Sequence, residues 1–165
     1  MQTEIRQVCK NDLETLADWH KEHAAINFPD SKFKRKLFLI SLRKAFEAMK
    51  KGKKEVLLKV IADKKMIGWL WLKMIFDIYK DCHYCDLHYI HVAPEYRGQG
   101  IGDKLMIQAD IWAQINGAKE IRLGTSADNK KSVNLYQKCG YKIKRVLMEK
   151  KCVRLMKKSN TLTKK

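Results

Sequence analysis

No stretch of this 165-residue chain approaches the ~18 consecutive apolar residues that would cross a bilayer. Met1 to Lys10 likewise carries charges where a secretory leader would need an apolar run, so a soluble cytoplasmic protein is expected. Cysteine is too sparse for a disulfide scaffold: the five residues Cys9, Cys82, Cys85, Cys139 and Cys152 are odd in number and scattered, and reduced thiols are the simpler reading. No second spaced pair accompanies Cys82-x-x-Cys85, and neighbours such as His83, His88 and His91 alternate along one stretch and cannot all converge on one ion. No metal is expected. The chain is not short of core material, since 45% of its residues are apolar, enough for one domain of this length.

Carboxylates are scarce, 18 against 35 Lys and Arg, giving a formal net charge of +17. Such a balance raises nucleic acid or ribosome as a partner, because Lys and Arg neutralise phosphates. A solubilising surface is the plainer alternative. The acids that exist are grouped. Residues 11–30 hold Asp12, Glu14, Asp18, Glu22 and Asp30 against Lys21 alone, and residues 77–95 hold Asp77, Asp81, Asp86 and Glu95 against Lys80.

Hydrophobic periodicity orders the chain as a mixed α/β domain. A short strand at 3–8 is followed by a helix with Asn11 as N-cap and Glu14 three residues on, running to about Ala25. Pro29 breaks the chain before a second helix, with Phe33, Leu37, Ile40, Phe46 and Met49 as its apolar positions. Residues 55–62 and 66–76 read as a hairpin, and 84–92 as a further strand. Residues 100–116 form an amphipathic helix with Ile101, Leu105, Gln108, Trp112 and Ile115 along one side, stopped by Gly117. A strand at 120–123, a short helix at 129–138 and two strand candidates within Tyr141 to Met156 follow, ahead of a Lys-rich tail. One domain over 1–157 and a disordered basic tail over 158–165 are expected.

The stretch Arg97-Gly98-Gln99-Gly100-Ile101-Gly102 lies between a strand and an amphipathic helix. Glycines let backbone N–H groups point inward at close range, and the helix N-terminus adds partial positive charge, so the loop suits a phosphate. It is neither a dinucleotide fingerprint, because Asp103 stands where the third glycine would be, nor a P-loop, whose G-K-[ST] ending is missing. Arg97-x-x-Gly100-x-Gly102 instead resembles the pyrophosphate loop of the GNAT superfamily of acyl-CoA-dependent N-acetyltransferases. Asn129-x-x-Ser132-x-x-Leu135-Tyr136-x-Lys138-x-Gly140-Tyr141 is similar to that family's second signature, at matching spacing.

The resemblance implies a mostly antiparallel sheet of about six or seven strands with about four helices. It implies acetyl-CoA as acyl donor and an amine as acceptor, in a monomer or homodimer. The loop amides Gly98, Gln99, Gly100, Ile101 and Gly102 would hold the pyrophosphate with Arg97 on the same arm, and Asn129 would contact the pantetheine. Main-chain groups of Ile90, His91 and Val92 would pair with the pantetheine amides, a strand addition by the substrate. Tyr136 would donate a proton to the leaving sulfur. Asp86 is the candidate base, sharing a face with His88, Ile90 and Val92 unless a bulge intervenes. If the acidic groups border the acceptor, that acceptor is cationic, such as a polyamine, an aminoglycoside-like compound, a lysine or an N-terminus. The competing reading is a basic nucleic-acid or ribosome-associated module whose acetyltransferase activity is secondary or lost.

Overall fold

The structure is a computed structural model and describes residues 1–148 and 150. In chain order it runs β1 (Glu4–Gln7), α1 (Leu13–Asn27), α2 (Arg35–Lys50), β2 (Glu55–Ala62), β3 (Lys65–Asp77), β4 (Cys82–Val92), α3 (Ile101–Ile115), β5 (Ile121–Arg122) and α4 (Lys130–Lys138). The strands form one sheet in the order β1-β2-β3-β4-β5, antiparallel except where β5 joins β4 in parallel.

The long central strands are apolar on both sides because both sheet faces are covered. On one face α1 and α2 bury Leu16, Ala17, Leu39 and Leu42 against Trp69, Trp71 and Tyr89. On the other, Ile101, Leu105, Met106 and Ala109 of α3 and Tyr136 of α4 pack on Val60, Leu70, Leu72 and Leu87. Full burial of side chains of this size is worth roughly 1.5–3 kcal/mol each. The two tryptophans, two residues apart on β3, belong to one core layer as their spacing implies, with ring centroids 6.5 Å apart.

Several local expectations shift. The cap before α1 is built two residues earlier than Asn11: the Cys9 amide donates to Asp12 Oδ2 at 2.7 Å, and a single 3₁₀ turn over Lys10–Asp12 leads into the helix. Asp12 also accepts from Lys59 Nζ at 2.6 Å, which ties the turn to β2. The buried side of α2 is Leu39, Leu42 and Ala45, while Leu37 and Ile40 are exposed. The buried side of α3 is made by Met106, Ala109 and Ala113 beside Ile101 and Leu105, and Ile115 is 79% exposed. In both helices the side that wins is the one whose residues lie closest to the sheet, and small alanines there let the backbones approach. The sheet has five strands among the described residues. Of the two strand candidates within 141–156, residues 141–148 form none, and the remainder, like the 158–165 tail, lies outside the described residues.

Two bulges interrupt the sheet. Val60 pairs with Gly68 but Ile61 pairs with Met66, so Ile67 is the extra residue of β3. Trp71 pairs with Tyr89 but Leu72 pairs with Leu87, so His88 is the extra residue of β4. Gly68 sits opposite Val92, and a Cβ on it would lie 2.9 Å from the His91 carbonyl oxygen, with Leu105 and Ile101 behind. Gly68→Ala should therefore cost about 1–3 kcal/mol through overpacking against backbone that cannot yield. Chemical denaturation of the purified variant measures this, and an unchanged midpoint would show that the strand has room to give.

Candidate active site

The site originates in a backbone imbalance. Along one edge β4 is paired with β3 over its whole length, whereas on the other β5 covers only Cys85 and Asp86, opposite Ile121 and Arg122. From Leu87 to Val92 the second edge has no strand neighbour among the described residues, and the sheet splits there. The bulged His88 stands just past the point of splitting.

At the far end of β4 the chain makes a short turn at Pro94–Tyr96 and enters the glycine loop. Gly98 and Gly100 have φ of +75° and +77°, the left-handed region that glycine alone enters without strain. These two reversals wind the backbone into a concave arc before α3, whose first-turn N–H groups have no intrahelical acceptor. Gly102 serves a different end: a Cβ there would lie 3.2 Å from Leu135 Cδ2, so its absence lets α3 pack closely on α4.

Loop, β4 edge, α1 and α4 enclose a cleft of about 560 Å³. Ile90, His91, Val92, Arg97, Gly98, Gly100, Gly102, Asn129 and Tyr136 all line it, so nine of the site positions named from sequence meet in one place. Gln99 and Ile101 belong to the same loop without lining the cleft. Gln99 donates from Nε2 to the Glu95 carbonyl at 3.1 Å, and the Ile101 side chain is buried in the core. Tyr136 is nearly buried; loss of water raises its pKa, with a hydrogen bond to Ser132 opposing, so its hydroxyl keeps its proton at neutral pH. Asn129 caps α4, its Oδ1 accepting from the Ser132 amide at 3.3 Å. Arg97 is held by the cleft wall: its Nε donates to the Val92 carbonyl at 2.9 Å and its terminal nitrogen lies 2.8 Å from Glu22 Oε1.

Residues of α1 complete the wall: Glu22, named from sequence as one of the grouped acids, and His23, Ile26 and Asn27, which were not singled out. Their i, i+1, i+4, i+5 spacing marks one helix side, which was the available signal. Asn27 reaches across the split, its Oδ1 accepting from the Ser126 amide at 3.0 Å and from Thr125 Oγ1 at 3.3 Å. The helix and the segment after β5 are thereby fastened together over the cleft.

Asp86 is on the opposite face from the one expected. Because His88 is bulged, Cys85 and Leu87 share the α3 side with Ile90 and Val92, and Asp86 points with Tyr89 toward the α1 and α2 side. There its Oδ2 lies 3.1 Å from His88 Nδ1, and the His88 ring meets Trp71 edge-on at 4.4 Å. Behind this pair lies a layer of rings. His20 stacks on Phe38 at 3.6 Å, His23 lies 4.6 Å from Tyr89, and His91 lies 5.0 Å from Trp19. Burial lowers the pKa of His20 to about 3 and that of His91 to about 4. Both rings are therefore neutral at pH 7.

The acidic groups are not free charges. Asp12 meets Lys59, Glu14 meets Arg35 and Arg43, Asp18 meets Arg35, Glu22 meets Arg97, and Asp77 meets Arg122. Each partner is distant in sequence, so a negative run along the chain becomes a neutral lattice in space. Asp81 lies in the turn between β3 and β4, exposed and outside the cleft.

Comparison with known proteins agrees with this geometry. The acetyltransferase (GNAT) family matches residues 13–141, and the chain belongs to that family. Spermidine N(1)-acetyltransferase of Thermoplasma acidophilum is 27% identical over 164 residues, covering 92% of this chain and 98% of that protein. Thialysine N-epsilon-acetyltransferase of Sus scrofa is 45% identical over 51 residues, 31% of this chain. That stretch spans 30% of the thialysine enzyme, and the match to the probable N-acetyltransferase HLS1 of Arabidopsis thaliana spans 13% of its length. Among solved structures, aminoglycoside N-acetyltransferase AAC(6')-Iy in complex with CoA shares the fold with a TM-score of 0.73, at 23% identity over 91% of this chain and 95% of that one.

The buried histidines make stability depend on pH. Their folded pKa values lie below the ordinary imidazole value of 6.5, so between about pH 6.5 and 4 the unfolded chain binds more protons and stability rises with pH. Acidification through that window should destabilise the protein, by at most about 1.4 kcal/mol per pH unit for each histidine. His91→Gln should make the slope shallower. Urea denaturation at pH 7, 6 and 5 reads this directly, and a flat profile would mean that the rings are protonated in the folded state.

Proposed function

We propose that the protein transfers the acetyl group of acetyl-CoA to a small cationic amine by direct attack in a ternary complex. The observation that carries this reading is the convergence in one cleft of a glycine loop with free amides, an unpaired strand edge and a protonated, nearly buried tyrosine. The residues fit the donor: the concave arc at Gly98 to Gly102 and the first turn of α3 offer N–H groups to a pyrophosphate, and the Ile90 to Val92 edge offers strand-like pairing to the pantetheine amides. A thioester supplies an acyl carbon joined to a good leaving group. Tyr136 donates its proton to the departing sulfur as the C–S bond breaks and the N–C bond forms, and recovers it from solvent. The amine must arrive neutral. His88 takes the ammonium proton and passes it to solvent, Asp86, hydrogen-bonded to His88 Nδ1, positions the ring with Nε2 free, and the proton shed by the nitrogen once the N–C bond has formed leaves to water.

On the α1 and α2 side Trp71 donates to Glu55 at 2.7 Å, and Lys73 Nζ lies 3.4 Å from the same carboxylate and 4.5 Å from the Trp71 ring centroid, so ring and carboxylate already hold a cation of the chain, and Asp86, beside His88, is the carboxylate left for an acceptor. Carboxylates beside an aromatic ring suit an ammonium group. Relatives named for spermidine and thialysine acetylation support the same class. A single acetyltransferase domain over 1–157 with a basic tail, working in the cytoplasm, completes the proposal.

Incubation with acetyl-CoA and a panel of polyamines, aminoglycosides, thialysine and basic peptides, read by mass spectrometry, tests the activity; acetylation of none of them would refute it. Tyr136→Phe should lower kcat by about 10²- to 10⁴-fold with CoA affinity unchanged, because only a donor needed at the leaving sulfur is lost. A wild-type rate, with chemistry shown to limit turnover, would make Tyr136 a packing residue. Asp86→Asn and His88→Gln should each lower kcat by about 10²-fold or more with CoA affinity unchanged. Steady-state kinetics from pH 5 to 9 distinguishes this from a purely electrostatic role, in which only the KM for the amine would rise.

A further inference from the structure

We propose that the outer side of α2 and the loop that follows it form a nucleic-acid-binding surface, separate from the acetyl-transfer cleft and reading the phosphate backbone rather than the base sequence. Residues 32–54 hold ten Lys and Arg side chains against the single carboxylate of Glu47, more than half of the molecule's net charge of +17. The two arginines are satisfied locally, Arg35 by Glu14 and Asp18 and Arg43 by Glu14. The lysines are not. The lysine ion pairs among the described residues are those of Lys59, Lys73, Lys80 and Lys138, and none involves this segment.

Helical spacing gathers these charges on one side. At 100° per residue Lys36, Arg43, Lys44 and Lys51 fall within one broad stripe, opposite the buried Leu39, Leu42 and Ala45. Between Lys36 and Lys51 the stripe is about 22 Å long at 1.5 Å per residue. Lys53 and Lys54 extend it past the helix end, and all of these side chains are exposed. A shallow groove of about 380 Å³ runs along it, lined by Ile40, Arg43, Lys44, Glu47, Lys51 and Lys53. Lysine at a helix C-terminus is also favoured by the helix dipole, which accounts for Lys50 and Lys51 but not for Lys36, Lys44, Lys53 and Lys54.

The chemistry of this side selects among polyanions. A duplex carries one charge per ~1.7 Å of axis with both strands counted, so about a dozen phosphates lie along a stripe of this length and those on the facing side come within its reach. The side carries no aromatic residue for stacking on bases, so binding is independent of sequence. A membrane surface is a poorer match, because the apolar side of α2 is spent on the protein core and cannot enter lipid.

Fluorescence anisotropy with labelled duplex DNA, duplex RNA and single-stranded RNA tests this. The variant Lys44→Glu/Lys51→Glu/Lys53→Glu, and its milder form with Gln at the same positions, is compared with Lys10→Glu/Lys64→Glu/Lys65→Glu. The control changes net charge equally at exposed sites elsewhere. The α2 Glu variant should bind at least about 10-fold more weakly and its log–log salt slope should fall by about 2 to 3, with the control shifted by less than about 3-fold. The Gln variant, retaining the wild-type melting temperature, should weaken binding in the same direction. No binding by the wild type, equal weakening in both Glu variants, or tighter binding to anionic vesicles or polyglutamate than to nucleic acid would each overturn the assignment.

Discussion

The structure turns on the second edge of β4. A strand whose N–H and C=O groups are matched on both sides is inert, and one matched on a single side must find another partner or face water. Here β5 contributes two residues and stops, so β4 is matched beside Cys85 and Asp86 and open beyond. Everything in the cleft depends on that opening. The glycine loop lies at the end of the open stretch, α4 brings Tyr136 against it, and Asn27 ties α1 to the segment after β5 so that the opening has a fixed width. The β4 bulge falls at the same place, and it moves Asp86 and His88 to the α1 and α2 side while Ile90 and Val92 stay on the α3 side. One irregularity thus gives a single strand two different faces, which the proposed function assigns to the acyl donor and the amine.

The parts that were legible in the sequence are those in which the backbone demands a particular residue. Gly98 and Gly100 hold positive φ, Gly102 permits the approach of Leu135, and Asn129 caps α4; each is a local requirement recorded in one letter. Helices and strands were legible for a similar reason, since apolar periodicity is local. What escaped was set by partners far along the chain. His88 became the bulged residue because β3 pairs in that register, which nothing in residues 82–92 alone specifies. The α1 cap moved to Cys9 because Asp12 is fixed by Lys59 of β2. In α3 Ile115 and Met106 are both apolar, and only the position of the sheet decides that Met106 is the one buried.

Charge shows the same gap between sequence and space. A run of five acids in residues 11–30 looks like an attractive surface when counted along the chain, yet four of them meet cations from α2, β2 and the glycine loop. The basic side of α2 behaves oppositely. Its arginines reach Glu14 and Asp18 of α1 and are neutralised there, Arg43 from the edge of the stripe itself, while its lysines face outward with no ion pair among the described residues. Neutralisation on the inner side leaves the outer side as a concentrated source of positive potential.

That asymmetry bears on both substrates. A field of net +17 attracts anions and repels cations, so for the cationic amine proposed above long-range steering and short-range recognition act in opposite senses. Screening resolves the conflict: at physiological ionic strength the potential decays over about 8 Å, and charges on the outer side of α2 are muted at any point more than one such length away. Within that range the proposed acceptor would meet Asp86 and His88, and contacts at hydrogen-bond distance outweigh a screened background. The donor gains from the field on approach and the acceptor gains only on contact. Under the proposed function, capture of the amine would be governed by the shape and chemistry of the Asp86 and His88 surface, and the net charge of the protein is left to act on partners large enough to lie along it.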